Sequence, residues 1–272
     1  MKTILIATDF STAAQNATEY AADMAIAANA GLFLLHIYQL PVNYGEVPFA
    51  INPEEMMKDA EKKLTELKGL LIRKTNGHLK IETEVREGVF IRELKTVCES
   101  IKPYAVVIGS QGTTATEQFL FGSQAVFAMK HLVWPLITVP PGVKFSSIKK
   151  IGLACDFDKV ADTIPFDEIK LLVNDFHAEL HILNVGKKNI NDPALVFESG
   201  ILQDMLSVAE PNFHFIANEH TDEGIIDFAE ENQIDLLIVL PKRHALLEKI
   251  IHKSHTKQLV LYSHVPVMAL HQ

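Results

Sequence analysis

The sequence predicts an α/β protein made of two repeated domains, each a five-stranded, mostly parallel sheet with helices on both faces, a Rossmann-like arrangement. Three observations predict it. Short apolar runs alternate with helix-patterned segments through the first half. The same order of segments returns in the second half. The length, 272 residues with 48% apolar side chains, suits two globular domains of ordinary size.

The first strand candidate, Thr3 to Thr8, closes at Asp9-Phe10-Ser11, where short polar side chains suit a turn and a helix N-cap. Thr12 to Ala30 is Ala-rich and reads as a helix stopped at Gly31. Leu32 to Tyr38 is a buried-strand run, and Pro41 to Pro53 is a proline-rich loop. From Pro53 to Lys74, Met56, Leu64, Leu67 and Leu71 form one apolar stripe of a helix whose charges face water. His78 to Val85 alternates, with Leu79, Ile81, Thr83 and Val85 on one side, the pattern of a half-exposed strand near a sheet edge. Gly88 to Ser100 is a short helix, Tyr104 to Ile108 an apolar strand, Gly122 to His131 a helix, and Leu136 to Val139 a last strand.

Pro140-Pro141-Gly142 and Ser146-Ser147 read as a linker, which places the domains at 1–143 and 148–272. After it the pattern restarts. Ile151-Gly152-Leu153-Ala154-Cys155-Asp156-Phe157 repeats Ile4-Leu5-Ile6-Ala7-Thr8-Asp9-Phe10, and Ala178 to Val185 echoes Ala30 to Ile37. Ile234 to Val239 mirrors Lys102 to Ile108, and His264 to Met268 mirrors Val133 to Ile137. Such a duplication favours two similar domains over a single large sheet.

A formal net charge of -9 argues against nucleic acid as a partner, because phosphate backbones reward a dense Lys/Arg surface. The two cysteines, Cys98 and Cys155, have no metal-ligand spacing and read as buried small hydrophobes. The apolar run at the N-terminus stops at Thr8-Asp9, too short for a signal peptide, and no stretch reaches the length of a membrane span. The expectation is a soluble, cytoplasmic protein without membrane contact.

The most informative string is Gly109-Ser110-Gln111-Gly112, followed by a polar loop and then Gly122-Ser123 at a helix start. Glycine lets a backbone approach a ligand closely, and a helix N-terminus offers unpaired N–H groups with partial positive charge. Together they suit a phosphate cradle. In an open α/β sheet this end of the strands is where ligands bind, and Ala7-Thr8-Asp9 lies there too. A carboxylate at Asp9 can bond ribose hydroxyls or a metal ion beside phosphates. The alternative is that the glycines only shape a turn and Asp9 only caps the next helix.

At these residues the chain resembles the universal stress protein family. Gly109, Gly112, Gly122 and Ser123 stand in register with the family's pattern Gly-x2-Gly-x9-Gly-(Ser/Thr), and Thr8-Asp9-Phe10-Ser11 matches its opening. The duplication is similar to the family's tandem form. The resemblance implies an adenine nucleotide alpha-hydrolase-like fold binding ATP or AMP, with Mg2+ as a possible companion. It places Ala7, Thr8 and Asp9 against adenine and ribose, Ile37 against adenine through its backbone, and Gly109 under the ribose. It gives the phosphates to Gly112, Gly122, Ser123 and Gln124, and sets Val139 near the base. It also implies pairing of the two domains through Leu136 to Val139 and Val265 to Met268, with a homodimer of tandem chains as a further assembly.

The second half departs from the pattern. Leu240, Arg243 and Lys253 replace the three glycines, while Ser254 and Asp156 match Ser123 and Asp9. A side chain at each glycine position obstructs backbone approach. The segment 242–255 is basic and His-rich, suiting a solvated surface or side-chain capture of an anion. The spacings of His177/His181 and His244/His252/His255 raise zinc as an option that lacks an evident third ligand. His36 and His131 read as structural histidines.

Three functions follow: a nucleotide-binding regulatory module, a slow ATPase or nucleotidyl-transfer enzyme, or a scaffold that binds no nucleotide. The first is preferred. Ser110 to Ser123 holds no Lys or Arg, and the chain has no Walker A sequence, so efficient phosphoryl transfer is disfavoured.

Overall fold

A computed structural model of the chain describes residues 1–40, 52–110, 124–186, 192–241 and 255–271. The first half runs β1 (Thr3–Ala7), α1 (Thr12–Ala27), β2 (Gly31–Tyr38), α2 (Pro53–Lys74), β3 (Ile81–Glu87), α3 (Phe90–Ile101), β4 (Ala105–Gly109), a helix α4 described over 124–131, and β5 (Leu136–Val139). The second half runs β6 (Lys150–Ala154), α5 (Val160–Thr163), α6 (Phe166–Phe176), β7 (Glu179–Val185), α7 (Pro193–Met205), β8 (Asn212–Ile216), α8 (Thr221–Glu231), β9 (Leu236–Val239), α9 (His255–Tyr262) and β10 (Val267–Ala269).

Local chemistry explains the long helices. α2 starts behind Asn52, whose side chain accepts the Glu54 N–H, with Pro53 in its first turn, and it closes with Arg73 and Lys74 against the negative end of the dipole. Ser11 caps α1 by accepting the Ala14 N–H. α1 stops at Ala27, three residues before the sequence expectation, because Asn29 takes the left-handed conformation (φ 50°) that the expectation gave to Gly31. The edge strand begins at Ile81 rather than His78, and Thr83 is exposed where the alternation put it inside.

Each half has strand order 3-2-1-4-5 with parallel neighbours. The expected choice between two domains and one sheet dissolves. β10 pairs antiparallel with β5, matching Leu136 to Ala269, Ile137 to Met268 and Thr138 to Val267, so the halves share one ten-stranded sheet in the order β3-β2-β1-β4-β5-β10-β9-β6-β7-β8. Two would-be edges are thereby satisfied.

Both faces of the sheet are covered across the seam. One apolar cluster joins α1 and α2 to α6 and α7 through Ile4, Ile6, Leu64, Ile151, Ile169 and Leu202. The other joins α3 and α4 to α8 and α9 through Leu5, Leu94, Met129, Leu237, Ile225 and Leu259. Lys2 adds a polar tie between halves, pairing with Asp175 of α6 while its ammonium lies over the Tyr104 ring. Cys98 and Cys155 are buried, as expected, and burial pushes the Cys98 thiol up to about 12, so it stays protonated. No described helix is long and apolar enough to cross a membrane.

Candidate functional site

In this strand order the crossovers leave in opposite directions from β1 and β4, and the crevice between their C-terminal ends is the natural ligand position. A cavity of about 220 Å³ opens there. Six of the residues named from sequence line it: Ala7, Thr8, Asp9, Ile37, Gly109 and Gln124. Val139 does not; it is buried on β5 opposite Gly109, and its carbonyl accepts the Ser110 N–H. Gly112, Gly122 and Ser123 lie outside the described residues, as does the loop expected at Pro41 to Pro53 apart from its last two positions.

The turn between β1 and α1 is built from its own side chains. Thr8 Oγ1 accepts the Phe10 N–H at 3.1 Å and Asp9 Oδ1 accepts the Ser11 N–H at 2.9 Å, which leaves the second carboxylate oxygen of Asp9 available at the cavity rim. Ser11, Ala13 and Ala14 also line the cavity. The amides of Thr12 and Ala13 belong to the first turn of α1 and have no place in the helix ladder, so the positive end of α1 faces the cavity.

Sequence reading missed this helix end because it saw only the cap, not what the cap faces. It also missed Gly88 and Phe90, which enter the wall from the β3 to α3 connection. Phe90 brings an aromatic ring to a wall whose other described residues are aliphatic, small or polar.

Gly109 has a use beyond ligand approach. A Cβ built there would stand 3.1 Å from the carbonyl carbon and oxygen of Ala13, so its absence lets the first turn of α1 close onto β4. The glycine sets where that helix end sits.

His36 lies on the opposite face of β2 from Ile37. Its Nδ1 bonds the Thr8 carbonyl at 2.7 Å and its ring packs 4.5 Å from the Phe10 ring. Burial lowers its pKa, against smaller upward effects of the Thr8 carbonyl, Asp9 and Asp59 and a downward one of Lys63. His131 turns back to the Phe127 carbonyl of its own helix at 2.8 Å.

The second half repeats the turn and then closes it. Cys155 Sγ accepts the Phe157 N–H and Asp156 Oδ1 accepts the Asp158 N–H, as Thr8 and Asp9 do in the first half. The following helix, however, is a single turn, α5, broken before Pro165, and the Val160 N–H is taken by the Glu198 carboxylate of α7 at 2.8 Å. Val185, the counterpart of Ile37, is covered by α8: a Cβ on Gly224 would stand 2.8 Å from Val185 Cγ1. Leu240, in the place of Gly109, packs against the core. Arg243 and Lys253 lie outside the described residues.

Among the described residues no group of three or more His, Cys, Asp or Glu side chains converges as a metal site. His181 instead bonds His214, Nδ1 to Nε2 at 3.0 Å, with Glu179 at 3.5 Å from the other ring nitrogen; His244 and His252 are outside the described residues. Burial, then the neighbouring His181, lowers the His214 pKa.

His36 and His214 therefore act on stability in the same direction. An imidazole held neutral in the fold adds stability that is complete above the ordinary value of 6.5 and is lost as pH falls through the lowered folded value. The melting temperature is expected to drop from about pH 7.5 to about pH 5, and less steeply in the double variant His36→Asn/His214→Asn. Equal slopes for the two proteins would assign the acid sensitivity elsewhere.

The sequence profile of the Universal stress protein family matches residues 1–140 and again 147–271. The chain belongs to the universal stress protein family. It is a tandem member: it is 24% identical over 289 residues to Universal stress protein Slr1230 of Synechocystis, covering 98% of this chain and 99% of that one. Universal stress protein MJ0531 of Methanocaldococcus jannaschii is 26% identical over 141 residues, which cover 51% of this chain and 81% of that one. Among solved structures, a universal stress protein from Archaeoglobus fulgidus shares the fold with a TM-score of 0.73 at 19% identity, covering 99% of this chain and 96% of that chain. The α/β class and the tandem arrangement read from the sequence stand confirmed.

Proposed function

We propose that this tandem universal stress protein is a regulatory binding module whose first half holds an adenine nucleotide, while the second half serves as a built-in partner that completes the sheet. One observation carries the reading. The cavity at the C-terminal ends of β1 and β4 brings together the turn of Asp9, the end of β2, Gly109 and the open N-terminus of α1. Residues of these types suit a nucleoside phosphate: Ile37 and Phe90 offer apolar surface to a base, Asp9 an acceptor to ribose hydroxyls, and the first-turn amides of α1 donors to an anion. The second half, with its helix end occupied by Glu198 and Val185 covered, is not the binding half.

A bound nucleotide stabilises the state that binds it and so can change the surface that another protein reads. Among the described cavity residues none is Lys or Arg, and Ser110 to Ser123 contains neither. Among these residues no side-chain cation stands ready for the developing charge of phosphoryl transfer, which favours binding over fast catalysis.

The same absence sets a test. A triphosphate needs its charge offset by a divalent cation, which binds chiefly through the phosphates. Calorimetric titration is expected to show ATP binding weakened by about tenfold or more when Mg2+ is chelated, with AMP much less affected. No heat with ATP, ADP or AMP at millimolar concentration, and no nucleotide released from the purified protein in mass spectra, would overturn the proposal.

A further inference from the structure

We infer that His36 is a positioning residue of the first-half cavity: by donating its Nδ1–H to the Thr8 carbonyl it holds the Asp9 turn and keeps the Ile37 main chain open to a bound base. The inference rests on the adenine-nucleotide reading of that cavity.

β1 and β2 run parallel, with Ala7 opposite Leu35 as the last pair, and the Thr8 N–H continues to the Leu35 carbonyl at 2.9 Å. Ile37 faces the same way as Leu35, so the next step of a parallel ladder would carry the Ile37 N–H to the Thr8 carbonyl. That step is not taken. The His36 ring occupies the carbonyl at 2.7 Å, and among the described residues no backbone bond joins Ile37 to Thr8. Ile37 lines the cavity with its main chain directed past the end of β1.

A carbonyl only accepts, so Nδ1 carries the proton. The ring is confined between Phe10, at 4.5 Å, and Tyr38, at 6.4 Å. Phe10 is held at φ 67°, a left-handed conformation that a non-glycine residue adopts only when its surroundings impose it. The bond from His36 is one of those constraints.

The second half makes the same bond with different chemistry. Asn184 stands where His36 does, since Ala154 pairs with Leu183 as Ala7 pairs with Leu35, and its Nδ2 donates to the Cys155 carbonyl at 2.8 Å. Phe157, the counterpart of Phe10, is also left-handed, at φ 54°. Histidine Nδ1 and asparagine Nδ2 are separated from the backbone by the same number of bonds, so both present a donor at one point. What the turn requires is the donor there, not an imidazole.

The test uses the full chain with His36→Asn, His36→Leu and Asn184→Leu, read by amide hydrogen exchange without ligand and by titration with ATP in Mg2+. His36→Leu is expected to speed exchange of the Phe10 and Ser11 amides by about fivefold and to weaken ATP binding by roughly tenfold, the scale of a lost hydrogen bond to a carbonyl left unsatisfied. His36→Asn restores both to within about threefold of the parent, and Asn184→Leu lowers the melting temperature while leaving ATP affinity unchanged. Equal exchange in His36→Leu and the parent, or an asparagine variant as impaired as the leucine one, would overturn the role of His36. A parent protein that binds no ATP would remove the nucleotide reading instead, with exchange still deciding whether His36 holds the turn.

Discussion

Aspartate at Met268 is expected to destabilise the protein by on the order of 4 kcal/mol, combining the loss of a buried apolar side chain with an unpaired carboxylate in the core. Met268 is fully buried, in the middle of β10, with Ile137 of β5 on one side and Ile238 of β9 on the other. It stands where the antiparallel seam meets the parallel sheet of the second half. No polar side chain is paired with it in either register. Since both apolar clusters cross the seam, the parent is expected to unfold in urea as one transition and Met268→Asp as two, with the halves uncoupled. Met268→Leu, which conserves volume, should cost less than about 1.5 kcal/mol. An aspartate variant with an unchanged midpoint and a single transition would show that the seam does not couple the halves.

Valine at Gly109 is expected to do the opposite kind of damage, modest to stability and severe to binding. The nearest atoms to the new Cβ belong to the backbone of Ala13, at 3.1 Å, and a helix backbone cannot rotate aside as a side chain can. Relief requires α1 to lift from β4, at a cost of about 1 to 3 kcal/mol. The first turn of α1 then carries its amides away from the cavity, and ATP affinity should fall by about tenfold or more. Gly200 in α7 is the control, because a Cβ there meets nothing within 4 Å; Gly200→Ala should stabilise by up to about 1 kcal/mol and leave binding intact. Titration of both variants against the parent decides the matter. Full affinity in Gly109→Val would mean that the position of α1 is irrelevant to the site.

Of the candidate site, the sequence revealed the parts whose signal is local. The turn Thr8 to Ser11 shows itself by polar residues between a strand and a helix, and Gly109 by ending an apolar run, whereas Ile37 was named only through the family resemblance. Strand order then brings these ends together, so Ala7, Thr8, Asp9, Ile37, Gly109 and Gln124 share one cavity wall. Val139 carries the same kind of signal but is sealed behind Gly109, since depth within a sheet leaves no mark on a short apolar run. Phe90 and the first turn of α1 escaped notice because nothing in their own segments says which cavity they face.

The sequence by itself determined the alternation of strands and helices, the duplication and the ends of the strands at which a ligand can sit. Side-chain periodicity and right-handed crossovers leave little choice among topologies. The pairing of β10 with β5 was already implied by the family resemblance; only the tertiary structure decided that it makes one continuous sheet and why the halves differ: Lys2 against Asp175, Glu198 at the start of α5, Gly224 against Val185, and a histidine and an asparagine making one bond in two places. Each of these depends on a distance between residues far apart in the chain. Such distances are set by packing, which sums over every neighbour at once and is not written in any one segment.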